Sequence, residues 1–162
     1  MNVVLLEPEI PQNTGNIGRT CMCSGNSLHL VGPLGFSIDD KYLKRSGLDY
    51  WPELDVYYYQ DFDKFLSLHN SPPLYMATTK ARRLYTDITY SSDDFIVFGK
   101  ESMGIPEELL LQYRDTAIRI PMLPSRRSLN LSSSVAIVLY EAMRQQNFAG
   151  FQVEGELHKY QW

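Results

Sequence analysis

The stretch Ile120–Tyr140 places a proline-broken loop rich in hydroxyl, amide and guanidinium groups directly before an amphipathic helix. Leu131, Val135, Val138, Leu139, Ala142 and Met143 recur at the spacing of one buried helical face. A polar loop feeding the N-terminus of such a helix can hold a small ligand through backbone N–H groups. Two earlier stretches have comparable chemistry: Glu7-Pro-Glu-Ile-Pro-Gln-Asn-Thr-Gly-Asn-Ile-Gly-Arg19 and Phe98-Gly-Lys-Glu-Ser-Met-Gly-Ile-Pro106. In the first, Asn13, Asn16 and Arg19 share a helical face, either as caps and surface groups or as a polar face offered to a partner. In the second, Gly99 and Gly104 would let a backbone approach a ligand closely, or merely serve a strand-to-helix turn. Glu101 reads as a cap or a functional acid, without an assigned catalytic role.

Common cofactor and hydrolase patterns do not fit. Gly15-Asn-Ile-Gly18 lacks the glycine spacing of a dinucleotide fingerprint. Gly99–Gly104 continues into Ile105-Pro106, without the lysine and hydroxyl of a phosphate-binding P-loop. No nucleophile elbow accompanies a Ser-His-Asp set. Cys21 and Cys23 are the only cysteines, and with His29, His69 and His158 scattered there is no metal-ligand spacing. These groups read as structural or surface residues, and no metal is expected.

The elements that must position the three segments alternate. Strands are expected at Val3–Leu6, Leu28–Val31, Asp55–Tyr59, Leu74–Ala77, Phe95–Phe98 and Ala117–Ile120. Helices are expected from Asn13 or Thr14 to about Ser24, from Asp39 or Asp40 to Gly47, after Asp61 to Leu68, over Pro106–Leu111 and over about Leu131–Gln146. Ser132, Ser133 and Ser134 suit the cap of the last helix, and Asn130 a brace between loops. Continuous apolar strands alternating with helices predict an α/β domain with a mostly parallel sheet covered on both faces. One domain over residues 1–150 and a polar, aromatic tail over 151–162 account for the chain.

The 162 residues carry a formal net charge of −4, which argues against indiscriminate nucleic-acid binding. The cations nonetheless cluster, at Lys41, Lys44 and Arg45, at Lys80, Arg82 and Arg83, and at Arg126 and Arg127. Such clusters are solvated surface or selective phosphate contacts. No apolar run approaches the roughly 18 residues of a membrane span. No secretory signal is visible at the N-terminus, so a cytoplasmic location is expected.

In order and separation, the three segments resemble the motifs of the SPOUT RNA methyltransferases. Pro33-Leu-Gly-Phe36, Arg45-Ser-Gly-Leu-Asp-Tyr50 and Thr78-Thr-Lys80 extend the resemblance from Val3 to about Gln145. It is nearest to the minimal TrmL (YibK-like) group of tRNA wobble-nucleotide 2′-O-methyltransferases. The resemblance implies a C-terminal deep trefoil knot, a homodimer, S-adenosylmethionine as cofactor and tRNA as partner. It implies cofactor contacts at Ala77, Gly99, Ile120, Leu123 and Ser128, largely through backbone groups. Arg19 matches the arginine tied most closely to catalysis. A permanently protonated guanidinium suits gripping a phosphate or stabilising an alkoxide better than accepting a proton, although some family mechanisms make it the base. Asn16, Lys80, Arg126 and Tyr140 are the candidate RNA contacts. The basic run Ala81-Arg-Arg83 has no counterpart that the resemblance supplies.

The implied reaction is methyl transfer to the ribose 2′-oxygen at position 34, cytidine or a modified uridine, of leucine tRNAs. The alternatives are the same transfer at another tRNA or ribosomal RNA nucleotide, and a knotted dimer that binds RNA or cofactor without turnover.

Overall fold

The computed structural model describes residues 1–37, 51–70 and 72–162. The helix expected to close at Gly47, with Lys41, Lys44 and Arg45, and the Arg45–Tyr50 phrase lie outside the described residues.

Among the described residues seven strands form one sheet, in the order β3-β2-β1-β6-β4-β7-β5, with every pairing parallel. They are β1 (Asn2–Leu6), β2 (Ser27–Val31), β3 (Val56–Tyr59), β4 (Leu74–Ala77), β5 (Arg83–Leu84), β6 (Phe95–Phe98) and β7 (Ala117–Arg119). Among the described residues the α-helices are α1 (Pro11–Ser24), α2 (Phe62–His69), α3 (Glu107–Gln112) and α4 (Leu131–Gln145). The sequence expectation omitted β5, which is two exposed residues long and carries no apolar pattern.

Successive side chains of a strand point to opposite faces. On one face Val3, Leu5, Leu28, Leu30, Ile96 and Phe98 pack against Ile17 and Cys21 of α1 and Val135, Val138, Leu139 and Ala142 of α4. On the other, Val4, Leu6, Val31, Met76 and Val97 pack against Phe65 of α2 and Ile105, just ahead of α3. Each fully buried aliphatic side chain contributes roughly 1.5–3 kcal/mol. Helices on both faces explain why the strands read as unbroken apolar runs.

Two helix starts differ from the sequence expectation. Pro11 opens α1, with Ile10 at the cap position and no side-chain capping bond. The ring presets the helical φ and removes a donor that would have lacked a partner there, so the helix begins earlier and Asn13 is released from capping. At α4 the cap is Asn130, whose carbonyl oxygen accepts from the N–H groups of Ser132 at 2.9 Å and Ser133 at 3.4 Å. The serines are not the cap: the Ser132 hydroxyl donates to Asn130 Oδ1 and the Ser134 hydroxyl to the Asn130 backbone oxygen. Asp61 caps α2 as expected, accepting from the Lys64 N–H at 2.7 Å.

Gly18 lets α1 pack closely against Trp51 and Leu54. A Cβ there would lie 2.9 Å from the Trp51 ring and 3.0 Å from Leu54. Beyond α4 the chain turns at Asn147, Phe148 and Gly150, all with positive φ. The turn brings Phe148 and Phe151 back against the core, and residues 152–162 are exposed.

Candidate active site

The carboxyl ends of β4, β6 and β7 lie side by side, and the loops leaving them enclose a cavity of about 510 Å³. Crevices at the carboxyl ends of parallel strands are where open α/β sheets hold ligands, and this volume suits a nucleoside-sized molecule. Ala77 and Thr78 border it from β4, Gly99 and Glu101 from the loop after β6, and Ile120, Met122 and Ser128 from the loop after β7. Leu131, Ser134 and Val138 of α4 line it too. The walls combine aliphatic side chains with hydroxyl, amide and backbone groups, which fits the adenine ring and polar tail of S-adenosylmethionine.

The three segments singled out in the sequence are tied together here by hydrogen bonds. Asn13 is 6% exposed. Its amide nitrogen donates to Glu101 Oε1 at 2.9 Å, and its oxygen accepts from Asn130 Nδ2 at 3.0 Å. The other Glu101 oxygen accepts from the backbone N–H of Glu9 at 2.9 Å. The Glu9 carboxylate in turn accepts from the N–H and hydroxyl of Ser102, each at 2.9 Å. Lys100 Nζ meets Glu7 at 2.8 Å. Glu101 therefore acts neither as a cap nor as an isolated acid: it fastens the loop after β6 to the loop after β1. The Ser102 bonds hold the Glu9 carboxyl below its usual range, and the Glu7 bond raises the Lys100 ammonium above its own. Both pairs are acids on the first segment and partners on the second, a complementarity visible in the sequence only once the segments are known to meet.

Gly99 is required by the loop itself. A Cβ there would overlap the backbone of Gly104 and Ile105, where the loop folds back and Lys100 bridges to Gly104. Gly104 completes the turn at φ +72, a conformation glycine adopts without strain.

The expected cofactor positions Ala77, Gly99, Ile120 and Ser128 all border the cavity. Leu123 does not. It begins a turn closed by the Arg126 N–H onto its carbonyl at 3.4 Å, with Ser125 at positive φ, and is 74% exposed. Arg126, in the same turn, does not border the cavity either. Lys80 lies at the rim, with Nζ 2.8 Å from Glu107. Asn16 and Arg19 are exposed on α1 and border no part of the cavity, unlike Asn13 one turn earlier. The drift of a three-residue spacing around a helix separates them. Tyr140 is exposed on α4, edge-to-face with Phe151 at 6.4 Å.

His29 and His69 belong elsewhere. His29 Nδ1 lies 2.8 Å from the Tyr59 hydroxyl, which is 2.9 Å from His69 Nε2. Among the described residues no group of three or more His, Cys, Asp or Glu side chains is placed to hold a metal ion. None of the described helices is long and apolar enough to cross a membrane.

A wholly parallel, two-face-covered sheet with a ligand-sized, loop-built cavity at its carboxyl edge is the arrangement of a nucleotide-type cofactor domain. The chain belongs to the SpoU rRNA methylase family, whose model matches residues 1–140. A tRNA (cytidine(34)-2′-O)-methyltransferase from Saccharophagus degradans is 45% identical over 150 residues, covering 92% of this chain and 97% of the relative. A Listeria monocytogenes protein that carries the same name provisionally is 51% identical over 150 residues, 91% of this chain and 89% of its own length. Among solved structures, one described for the 2-OH methylation of C/U34 on tRNA superposes with a TM-score of 0.85 at 38% identity, covering 91% of this chain and 96% of that one. The SPOUT resemblance drawn from the three segments is borne out by these likenesses.

Proposed function

We propose that this chain transfers a methyl group from S-adenosylmethionine to the ribose 2′-oxygen of nucleotide 34 of tRNA. The observation that carries the reading is the Asn13–Glu101–Asn130 bond pair, which gathers all three family segments around one nucleoside-sized cavity. The names of relatives covering nearly the whole chain supply the substrate.

S-adenosylmethionine supplies a methyl group on a positively charged sulfur. Ala77, Ile120 and Leu131 offer it apolar walls, and Gly99 and Ser128 offer backbone and hydroxyl groups. The chain's task is to hold the ribose oxygen in line with that methyl and exclude water, a contribution of up to roughly 7–11 kcal/mol. Lys80 and Arg126 grip phosphates, and Asn16 and Tyr140 contact the nucleotide. Arg19 stabilises the alkoxide as the hydroxyl loses its proton.

Arg19 and Asn16 stand outside the cavity of their own chain, which supports a homodimer in which α1 of one copy faces the cavity of the other. The C-terminal trefoil knot belongs to the same reading. It is supported by β7 filling the place between β4 and β5, which the chain had spanned through residues 78–82. A cytoplasmic site of action follows from the substrate.

The test is transfer from labelled S-adenosylmethionine to bulk tRNA lacking the modification, followed by nucleoside mass spectrometry. A 2′-O-methylated nucleoside is the expected product. A base-methylated nucleoside, or bound cofactor and RNA with no product across tRNA and ribosomal RNA, overturns the reading.

A further inference from the structure

We propose that the arch Lys80–Arg83, together with Arg119, is a seat for RNA backbone phosphates that extends the substrate surface from the cavity rim to the β5 edge of the sheet. It rests on the reading of the chain as an RNA methyltransferase.

The sheet register places these cations. Ala77, the last residue of β4, pairs with Ile118, and Ile118 pairs with Arg83 on its other side. Arg83 is therefore level with the cofactor strand's end, two strand spacings or roughly 10 Å away. Arg119 follows Ile118, pairs with Leu84 and borders the cavity, as Lys80 does. The arch between β4 and β5 is fixed at two points. The Thr78 N–H donates to the Ile118 carbonyl at 2.9 Å, and Ala81 is buried in the core cluster that holds Ile105 and that Leu109 and Tyr113 pack against. With Ala81 turned inward, Lys80, Arg82 and Arg83 are left exposed around it.

Electrostatics favours an anion here. The chain as a whole is negative, so Lys80 and Arg119 at the cavity with Arg82 and Arg83 on the adjoining arch and strand are not a sample of the background. The countercharges are few. Glu107 takes Lys80 at 2.8 Å, and Asp87 receives the Leu84 N–H on its carboxylate while its backbone oxygen accepts from Arg83 Nη2 at 2.9 Å. Among the described residues neither Arg82 nor Arg119 has an ion-pair partner. A polyanion tracking along the arch meets guanidinium groups presented by a rigid loop, which lowers the ordering cost of each contact.

The competing explanation is that arginines on a two-residue edge strand only prevent edge-to-edge pairing. Binding of unmodified tRNA by wild type, Arg82→Ala, Arg82→Ala/Arg83→Ala and Arg82→Lys/Arg83→Lys, across a salt series, separates the two. The phosphate seat predicts about tenfold weaker binding for the double alanine variant, with the slope of log K against log salt reduced by about 1 per arginine. The lysine pair should keep most of both, and S-adenosylmethionine affinity should be unchanged in all four. Unchanged tRNA affinity and slope, with or without new self-association of the alanine variants, overturns the seat. If wild type binds tRNA but transfers no methyl, the enzymatic reading fails while the slopes still decide the seat. If wild type methylates and the variants bind as wild type does, only the seat fails.

Discussion

Asn13 and Glu101, 88 residues apart in the chain, are joined by a 2.9 Å hydrogen bond from the Asn13 amide to a carboxylate oxygen. A residue whose type and place suggested a helix cap is instead the pin between two loops, and through Asn130 it reaches the third. The cavity's shape depends on that pin, because each loop contributes one wall.

Replacing the buried Asn13 by alanine leaves the half-buried Glu101 oxygen and the Asn130 amide without these partners. The expected cost is on the order of 1–3 kcal/mol, visible as a lower thermal midpoint. Affinity for S-adenosylmethionine, measured by calorimetric titration, should fall as well. Asn13→Asp should be worse than alanine at neutral pH, because it sets a second carboxylate against Glu101, and should recover in part as the pH is lowered. Wild-type cofactor affinity in Asn13→Ala would contradict the role assigned to the pin.

Gly99→Ala should unmake the loop after β6. The added methyl has no space, because the atoms in its way are the backbone of Gly104 and Ile105 rather than a movable side chain. Loss of detectable cofactor binding is expected, with a lowered melting midpoint. A variant that folds and binds S-adenosylmethionine normally would show that the loop can open without consequence.

Glu107→Gln should tighten tRNA binding. Lys80 shares its charge with Glu107 at the cavity rim, and a phosphate must compete with that carboxylate. The bond also draws the Glu107 carboxyl below its usual range. An exposed pair of this kind adds little to folding, so the melting midpoint should not move while the tRNA dissociation constant falls. Filter binding at fixed salt decides it, and weaker binding would contradict the assignment of Lys80.

The buried histidine predicts a pH dependence away from the site. His29 is held down to about 4, first by burial and then by His69, whose own value is lowered by burial. Above about 6.5 the ring is neutral in both folded and unfolded chains and contributes nothing. As pH falls from about 6.5 towards 4 the unfolded chain binds a proton that the folded chain refuses, so stability is lost, by up to about 3 kcal/mol. Urea midpoints between pH 7.5 and 4 should drop more steeply in wild type than in His29→Asn. Parallel profiles would contradict it.

Much of this architecture was legible because parallel sheets write themselves as apolar runs: β1, β2, β4 and β6 sit within a residue of their expected bounds. Three features were not. The strand β5 has only Arg83 and Leu84 and owes its existence to β7 beside it. The early start of α1 follows from Pro11, a weaker signal than the polar Asn13 that drew the cap. Leu123, expected at the cofactor by motif position, lies in the turn at Ser125 with its side chain exposed. Ala77, Gly99, Ile120 and Ser128, expected from the resemblance, border the cavity because strand ends and the loops that follow them are where a parallel sheet opens. The three-residue spacing separates Arg19 from Asn13 around α1, but which of them faces the cavity is set by how α1 packs against its neighbours, which spacing alone does not give.

The most direct single measurement is to react the protein with S-adenosylmethionine and unmodified tRNA, then locate the product by nuclease fragmentation and mass spectrometry. A 2′-O-methyl group at nucleotide 34, absent when Arg19 is replaced by alanine, is the expected result. Methylation of a base, or of riboses elsewhere with nucleotide 34 untouched, contradicts it.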